Sequence, residues 1–414
     1  MGLFIKLLFY RKNKGVRFHP LRQPKYTEAI SFSVLSDIFD RCADFQYRSL
    51  LIGGRHAVYA CYLDGLVSGT AVSEDVLRPL TDSGALAEEP SPKACLEALR
   101  AGGVYNYEAT EPQDMDELVA LLTAGSCALV FDTLHRALCF ETRSEVMRSV
   151  EQPSTEKSVK GAKDAFTERL RVNTGLVRRR LRDSALKLEQ CVVGRKSRTA
   201  AAMLYYDGIA DPDKVQLLRR RLDEIDIDGL TASGHLEEYI VDCARSPFPQ
   251  LLYTERPDKF AINLLEGRVG LLVDGLPMGF LVPVTLPQLM KVPDDISQHF
   301  LVASALSLLR YFSFLLSAVL PALLVAIAMY HQEMIPTRLL LSVIEAKQRV
   351  PFSTALEVIG MLLSFELLQE AGLHLPNPIG DTVSIIGALI VGQSAVEANP
   401  SGTSSSCAVG RCLR

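Results

Sequence analysis

Hydrophobic positions along the chain change their rhythm twice. Between residues 47 and 145, and again between 195 and 290, short apolar runs end in turn residues and give way to amphipathic stretches. That is the pattern of strands alternating with helices. Val269, Leu271 and Val273 alternate with their neighbours as a strand does, although both faces are largely apolar. Asp274-Gly275, between two apolar runs, predicts a hairpin. Asp211-Pro212 reads as a helix cap followed by proline at the first helical position. After residue 300 the period disappears. From Tyr311 to Tyr330 there are twenty residues and no charge. A helix of that length is about 30 Å long, the thickness of a bilayer's hydrocarbon core.

The two strand-and-helix regions resemble one another. "CYLDGLVSGTAVSEDVLRPL", from Cys61, parallels "LYYDGIADPDKVQLLRRRL", from Leu204. "GSCALVFDTLHRALCF", from Gly125, parallels "GRVGLLVDGLPMGFLV", from Gly267. The turn aspartates Asp64 and Asp207 are 143 positions apart, and Asp132 and Asp274 are 142 apart. Two matches at nearly one offset predict an internal duplication. Turn chemistry, not catalysis, is the expected role of these aspartates.

This divides the chain into an N-terminal arm (1–46), a first α/β subdomain (47–145), a basic helical connector (146–194) and a second α/β subdomain (195–290). A membrane region (300–398) and a tail (399–414) expected to be disordered follow. The fold class expected is α+β: two tandem related α/β subdomains, then an α-helical transmembrane region. Within 300–398 the spans expected are 311–330 and about 380–397. Between them, 351–371 is an apolar helix that bears Glu366 and Glu370 on one face, four positions apart. It lies at a membrane surface, re-enters the membrane or lines a polar path. Pro321, in the middle of the first span, is better tolerated in a membrane helix than in an exposed soluble one.

Charge and composition narrow the function. The net charge of −4 implies no partner by itself. Between Lys157 and Arg198 there are thirteen basic and four acidic residues. No aromatic residues interleave with the arginines there, so nucleic acid is not expected. A solvated helical face or contact with anionic lipid headgroups is. The nine cysteines form no CxxC pair and read as free thiols of a reducing compartment. Lys6 interrupts the apolar N-terminus and no small-residue cleavage site follows, so residues 1–300 are expected to stay in the cytoplasm. There is no P-loop, HExxH or GxSxG motif and no metal-ligand spacing. No enzyme activity, cofactor or metal is expected. A soluble enzyme with one buried apolar helix is the competing class.

Three stretches resemble the A subunits of GerA-type spore germinant receptors. They are "EQPSTEKSVKGAKDAFTERLRVNTGLVRRRLR" from Glu151, "SPFPQLLYTERPDKFAINLLEGRVGLLVDGLPMGFLVP" from Ser246, and the segment from Val350 to Val396. The most specific elements are Thr254, Glu255, Arg256, Pro257 and Asp258, together with the Asp274-Gly275 turn. The resemblance implies a protein of the inner membrane of the bacterial spore. It would act with a transporter-like B subunit and a lipoprotein C subunit, as a homo-oligomer forming a ligand-gated ion conduit. Glu366 and Glu370, read from the residues alone, are the candidates to line such a path. A stage V sporulation AF-type paralogue would share the architecture. The signature residues are expected to act structurally or at an interface, with Glu255 and Arg256 pairing across it. Members of that family usually continue through further membrane helices, whereas here the apolar pattern stops at Val396.

Overall fold

The computed structural model describes residues 25–373 apart from internal stretches, the longest of which are 83–90, 104–108, 145–152, 157–160 and 345–350. The chain forms two units, Met1–Ser304 and Ala305–Arg414.

The first unit contains the same sequence of elements twice. Helix α1 (Phe32–Ile38) leads into strands β1 (Phe45–Ile52) and β2 (His56–Leu63). Helix α2 follows, through Ala71–Leu77 and Arg78–Asp82, then α3 (Pro92–Ala98), β3 (Ala109–Thr110), α4 (Met115–Ala124), β4 (Ser126–Phe131) and β5 (Arg136–Glu141). The second round is α5 (Leu170–Arg180), β6 (Leu186–Val193), β7 (Thr199–Tyr206), α6 (Pro212–Glu224), α7 (Ser233–Ile240), β8 (Leu252–Thr254), α8 (Pro257–Leu265), β9 (Val269–Val273) and β10 (Gly279–Val282). The sheets have orders β1-β2-β4-β5-β3 and β6-β7-β9-β10-β8, one and the same topology, with all strand pairs antiparallel. A short helix α9 (Leu286–Leu289) comes after.

Each sheet is covered on both faces, which explains its nearly continuous apolar strands. Successive residues of β4 point to opposite sides. Leu129 and Phe131 pack with Val72, Val76 and Leu96 of α2 and α3. Ala128 and Val130 pack with Leu35 of α1 and Leu118 and Leu122 of α4. The second sheet repeats this. Leu272 faces Val177 and Phe260, whereas Val269, Leu271 and Val273 face Val215, Leu218 and Leu236. The Phe260 ring lies so close to β9 and β10 that a Cβ on Gly270 would come within 2.2 Å of it, and one on Gly279 within 2.6 Å.

Two boundaries differ from the sequence expectation. The stretch 1–46 is not merely an arm, because α1 buries Leu35 and the next turn buries Phe39 in the first core. The connector 146–194 is helical only over α5; its end, Leu186–Val193, is strand β6, paired with β7 along eight residues. Leu186 and Leu188 alternate with half-buried Lys187 and Glu189, as an edge strand with one covered face requires.

In the second unit, α10 (Phe300–Tyr330) runs unbroken for 31 residues through Pro321, and none of its residues is buried. Helix α11 (Thr354–Leu373) follows. Leu320, Leu324 and Ile327 of α10 and Val358, Met361 and Leu362 of α11 line one apolar groove. Residues 374–414, including the expected span at 380–397 and the tail, lie outside the described residues.

Candidate functional site

The polar chemistry of the first unit concentrates where the two repeats meet. The chain before β1 lies against the edge strand β6: the Ala43 N–H donates to the Leu188 carbonyl at 2.8 Å, and the Leu188 N–H donates to the Arg41 carbonyl at 3.0 Å. Beside this bridge Arg178 of α5 is fully buried. Its Nε and Nη2 donate to the two oxygens of Asp44 at 2.7 and 2.9 Å, and Nη1 donates to the Asp183 carbonyl at 3.2 Å. Burial penalises the guanidinium charge. The Asp44 carboxylate and its hydrogen bonds outweigh that penalty and hold Arg178 protonated.

Asp183 is a second node. Its carboxylate accepts from Lys25 Nζ at 2.8 Å, the Ala185 N–H at 3.1 Å and the Tyr206 hydroxyl at 2.5 Å. Partial burial raises its pKa, but hydrogen bonds from Lys25, Tyr206 and the Ala185 N–H bring it down to about 2. Glycine permits the closest approach of the repeats. A Cβ on Gly175 of α5 would lie 2.5 Å from the Gly65 carbonyl oxygen, so a side chain there would push the repeats apart.

The signature residues form a separate cluster at the start of α8. Pro257 opens this helix, as its missing N–H suits. The Glu156 carboxylate accepts from the Thr254 hydroxyl, from the Glu255 N–H at 3.2 Å and from Lys259 Nζ at 2.6 Å. The Thr254 hydroxyl oxygen also accepts from the Arg256 N–H at 3.1 Å. Arg256 is 1% exposed and donates through Nε and Nη2 to Asp258 at 3.0 and 2.6 Å. Burial raises the Asp258 pKa, and Arg256 more than offsets this, so the carboxyl lies below its ordinary value. Arg256 is therefore engaged inside this unit. A buried guanidinium needs a nearby carboxylate, and Asp258, two positions on, supplies it. The Phe166 N–H donates to the Glu255 carbonyl at 2.7 Å. Together these bonds fasten Glu156 and Phe166 of the connector to the start of α8.

The turn aspartates have a role beyond their own turns. Gly275 adopts the positive φ of +83° that the β9–β10 turn requires. Asp274 accepts the N–H of Leu170, the first residue of α5, at 2.9 Å. Asp132 accepts the N–H of Phe32, the first residue of α1, at 2.6 Å. Sequence reading missed both caps because donor and acceptor lie 104 and 100 positions apart.

Among the described residues no group of three or more His, Cys, Asp or Glu is placed to hold a metal. The seven described cysteines are free. Burial pushes the Cys127 thiol up to about 12, which suits packing and not nucleophilic chemistry. Glu366 and Glu370 stand exposed on α11. They lie about 100° around the helix from the side that faces α10, as the 100° step per residue requires.

Comparison with known proteins places the chain in a family. The family of Bacillus/Clostridium GerA spore germination proteins matches residues 33–403. The chain is 38% identical over 368 residues to the "uncharacterized membrane protein YfkQ" of Bacillus subtilis (strain 168), a match covering 88% of this chain and 70% of the relative. It is 36% identical over 356 residues to spore germination protein B1 of the same organism, covering 86% and 73%. Among solved structures it is similar to the N-terminal domain of the A subunit of the Bacillus megaterium spore germinant receptor GerK3. That match has a TM-score of 0.48 and 28% identity, and covers 63% of this chain and 99% of that one. The chain belongs to the GerA family of spore germination proteins.

Proposed function

We propose that this chain is the membrane-embedded A subunit of a nutrient germinant receptor, residing in the inner membrane of the spore with residues 1–300 on the cytoplasmic side. The observation that carries the membrane part is α10. Its most apolar 18-residue window has a mean hydropathy of 2.4, and none of that window is buried. Side chains such as Phe312, Leu315, Leu320 and Leu324 are about half exposed or more. Water is a poor solvent for such a surface, at about 25 cal/mol for each Å² left uncovered. Lipid covers it without cost. Arg310 sits at the edge of the uncharged run, and Tyr311 and Tyr330 stand at its two ends, where aromatic side chains favour the membrane–water boundary.

The finer part of the reading is an ion conduit. In a ring of A subunits, acting with a transporter-like B subunit and a lipoprotein C subunit, Glu366 and Glu370 of each copy face a polar path. Carboxylates set around one axis attract cations and repel anions. An isolated charge in hydrocarbon costs about 2.5–3.5 kcal/mol on insertion scales, which is why these glutamates call for water or cations beside them. The reading covers an AF-type paralogue as well. The test is germination of spores that carry Glu366→Gln with Glu370→Gln as the sole copy of the protein. Slowed release of monovalent cations after nutrient addition, at normal protein level, is expected. Wild-type release and ion selectivity would remove both residues from the conduit.

A further inference from the structure

The short helix α9 (Leu286–Leu289) is inverted relative to an ordinary surface helix: its polar residue points in and its apolar residues point out. Gln288 is 5% exposed, and its amide donates to Asn263 Oδ1, which also accepts from Arg268 Nη1 at 2.9 Å. The Asn263 amide donates in turn to the Lys259 carbonyl at 2.7 Å, so this polar anchor is fixed to α8. On the outer side Leu286 and Leu289 are 50% and 37% exposed, and Val292, just beyond the helix, is exposed as well. A surface that faces water is built the other way round, with leucine inside and glutamine outside. At the rim, Lys291 is exposed and lies 3.6 Å from Glu266. Lysine stems lie along apolar surface while the ammonium reaches water or headgroups. The chain also limits how far this side can be from α10. Val292 precedes Phe300, the first residue of α10, by eight positions. Eight residues span about 28 Å when fully extended.

We propose that Leu286, Leu289 and Val292 insert into the headgroup region of a lipid bilayer and hold the second repeat against the membrane surface. The inference rests on the reading of α10 as a membrane span, and it stands whether or not the chain conducts ions. Two observations favour lipid over a protein partner. The first is the tether, which keeps α9 within about 28 Å of the point where α10 begins. The second is size. Three side chains fall well short of the roughly 20–30 residues a side of a stable protein interface. A lipid contact needs only a shallow apolar side, buried about 5–10 Å into the boundary between headgroups and acyl chains. The inward Gln288 anchor gives this contact its stiffness, because it holds α9 to the folded repeat and not to the tether alone.

The chain contains no tryptophan, so a single introduced one is the sole reporter of its surroundings. The test uses the full chain reconstituted in vesicles of phosphatidylcholine and phosphatidylglycerol. In a parallel preparation the phosphatidylcholine is brominated near the headgroup end of one acyl chain, which quenches a tryptophan at that depth. Leu289→Trp is expected to lose about half of its emission or more in the brominated vesicles, as an interfacial side chain would. Leu51→Trp, exposed on β1 of the first repeat, is expected to lose little. Adding Leu286→Glu and Val292→Glu to Leu289→Trp is expected to bring its quenching down to the level of Leu51→Trp. Leu315→Trp, in α10, reads the span separately. Quenching of Leu315→Trp without that of Leu289→Trp would overturn the docking of α9 and leave the span in place, whereas quenching of neither would overturn both. Three further results would overturn the docking. One is equal quenching of Leu289→Trp and Leu51→Trp, and another is full quenching that survives the two glutamates. The third is blue-shifted emission of Leu289→Trp that bromolipid does not quench, which would make protein the cover of this side.

Discussion

Asp132 and Asp274 do the same thing at matching points of the two repeats. Each leaves its own hairpin to accept the first N–H of the helix that opens its repeat, at 2.6 Å from Phe32 and 2.9 Å from Leu170. Asp274→Ala leaves that N–H without its cap and costs about 1 kcal/mol, the usual loss for a helix cap. Asp132→Ala is expected to cost a similar amount. Asp207→Ala, in an exposed turn where the backbone N–H and not the carboxylate makes the contact to Ala185, should cost less than half of that. Chemical denaturation of the full chain with each substitution measures the three together.

The Arg178–Asp44 pair should be intolerant of single changes and tolerant of paired ones. Arg178→Met leaves Asp44, 4% exposed, as an uncompensated buried charge, and is expected to cost about 3–5 kcal/mol. Asp44→Leu does the same to Arg178. The double variant removes both charges, so its loss should be smaller than either single loss. A double-mutant cycle read by denaturation checks the sign of the coupling.

How much of this could be read from the sequence depends on the distance over which each signal acts. The duplication was legible because Asp64/Asp207 sit in short strand-to-helix turns and Asp132/Asp274 in strand-to-strand turns whose offset survives. Strand β6 was not. Lys187, Glu189 and Gln190 interrupt its apolar residues, and the arginine-rich helix before it suggested that the helical pattern continued. Arg178 was hidden for another reason. In the run Arg178-Arg179-Arg180 all three look alike, and only Asp44, 134 positions away, singles out the first as the buried one. The signature residues were legible as a group. Their partner Glu156, about a hundred positions upstream, was not.

The Asp183 node predicts acid sensitivity. Its carboxyl is held at about 2, against an ordinary value of 3.8. A depressed carboxyl adds stability that is complete above the unfolded value and is lost as pH falls through the folded one. The window therefore runs from about pH 4 down to about pH 2. With its side chain 34% exposed, the contribution is about 1 kcal/mol after allowance for solvent screening. Asp183→Asn should flatten the stability profile in that window and leave the rest unchanged, as thermal unfolding across pH 2–7 would reveal.

Glu156 ties the connector to the signature cluster, so Glu156→Ala leaves Lys259, whose side chain is 16% exposed, without its carboxylate. The expected loss is about 1–3 kcal/mol, the cost of a largely buried charged partner left unpaired. Arg256→Ala exposes Asp258 to the same fault and should lower accumulation of the protein in spores. Quantitative immunoblotting of spore membranes for both variants measures this. Normal accumulation with Arg256→Ala would separate the residue from folding.

The central claim is that α10 crosses a membrane. The direct measurement is fractionation of cells expressing the full chain, washed at high salt and then at alkaline pH, with Leu320→Arg and Leu324→Arg as a paired variant. Wild-type protein is predicted to remain in the membrane pellet through both washes and to dissolve only in detergent. The paired variant places two charges in the middle of the run, at about 2.5–3.5 kcal/mol each on insertion scales, and should lose most of that retention. Wild-type protein recovered in the aqueous supernatant after either wash would contradict the account.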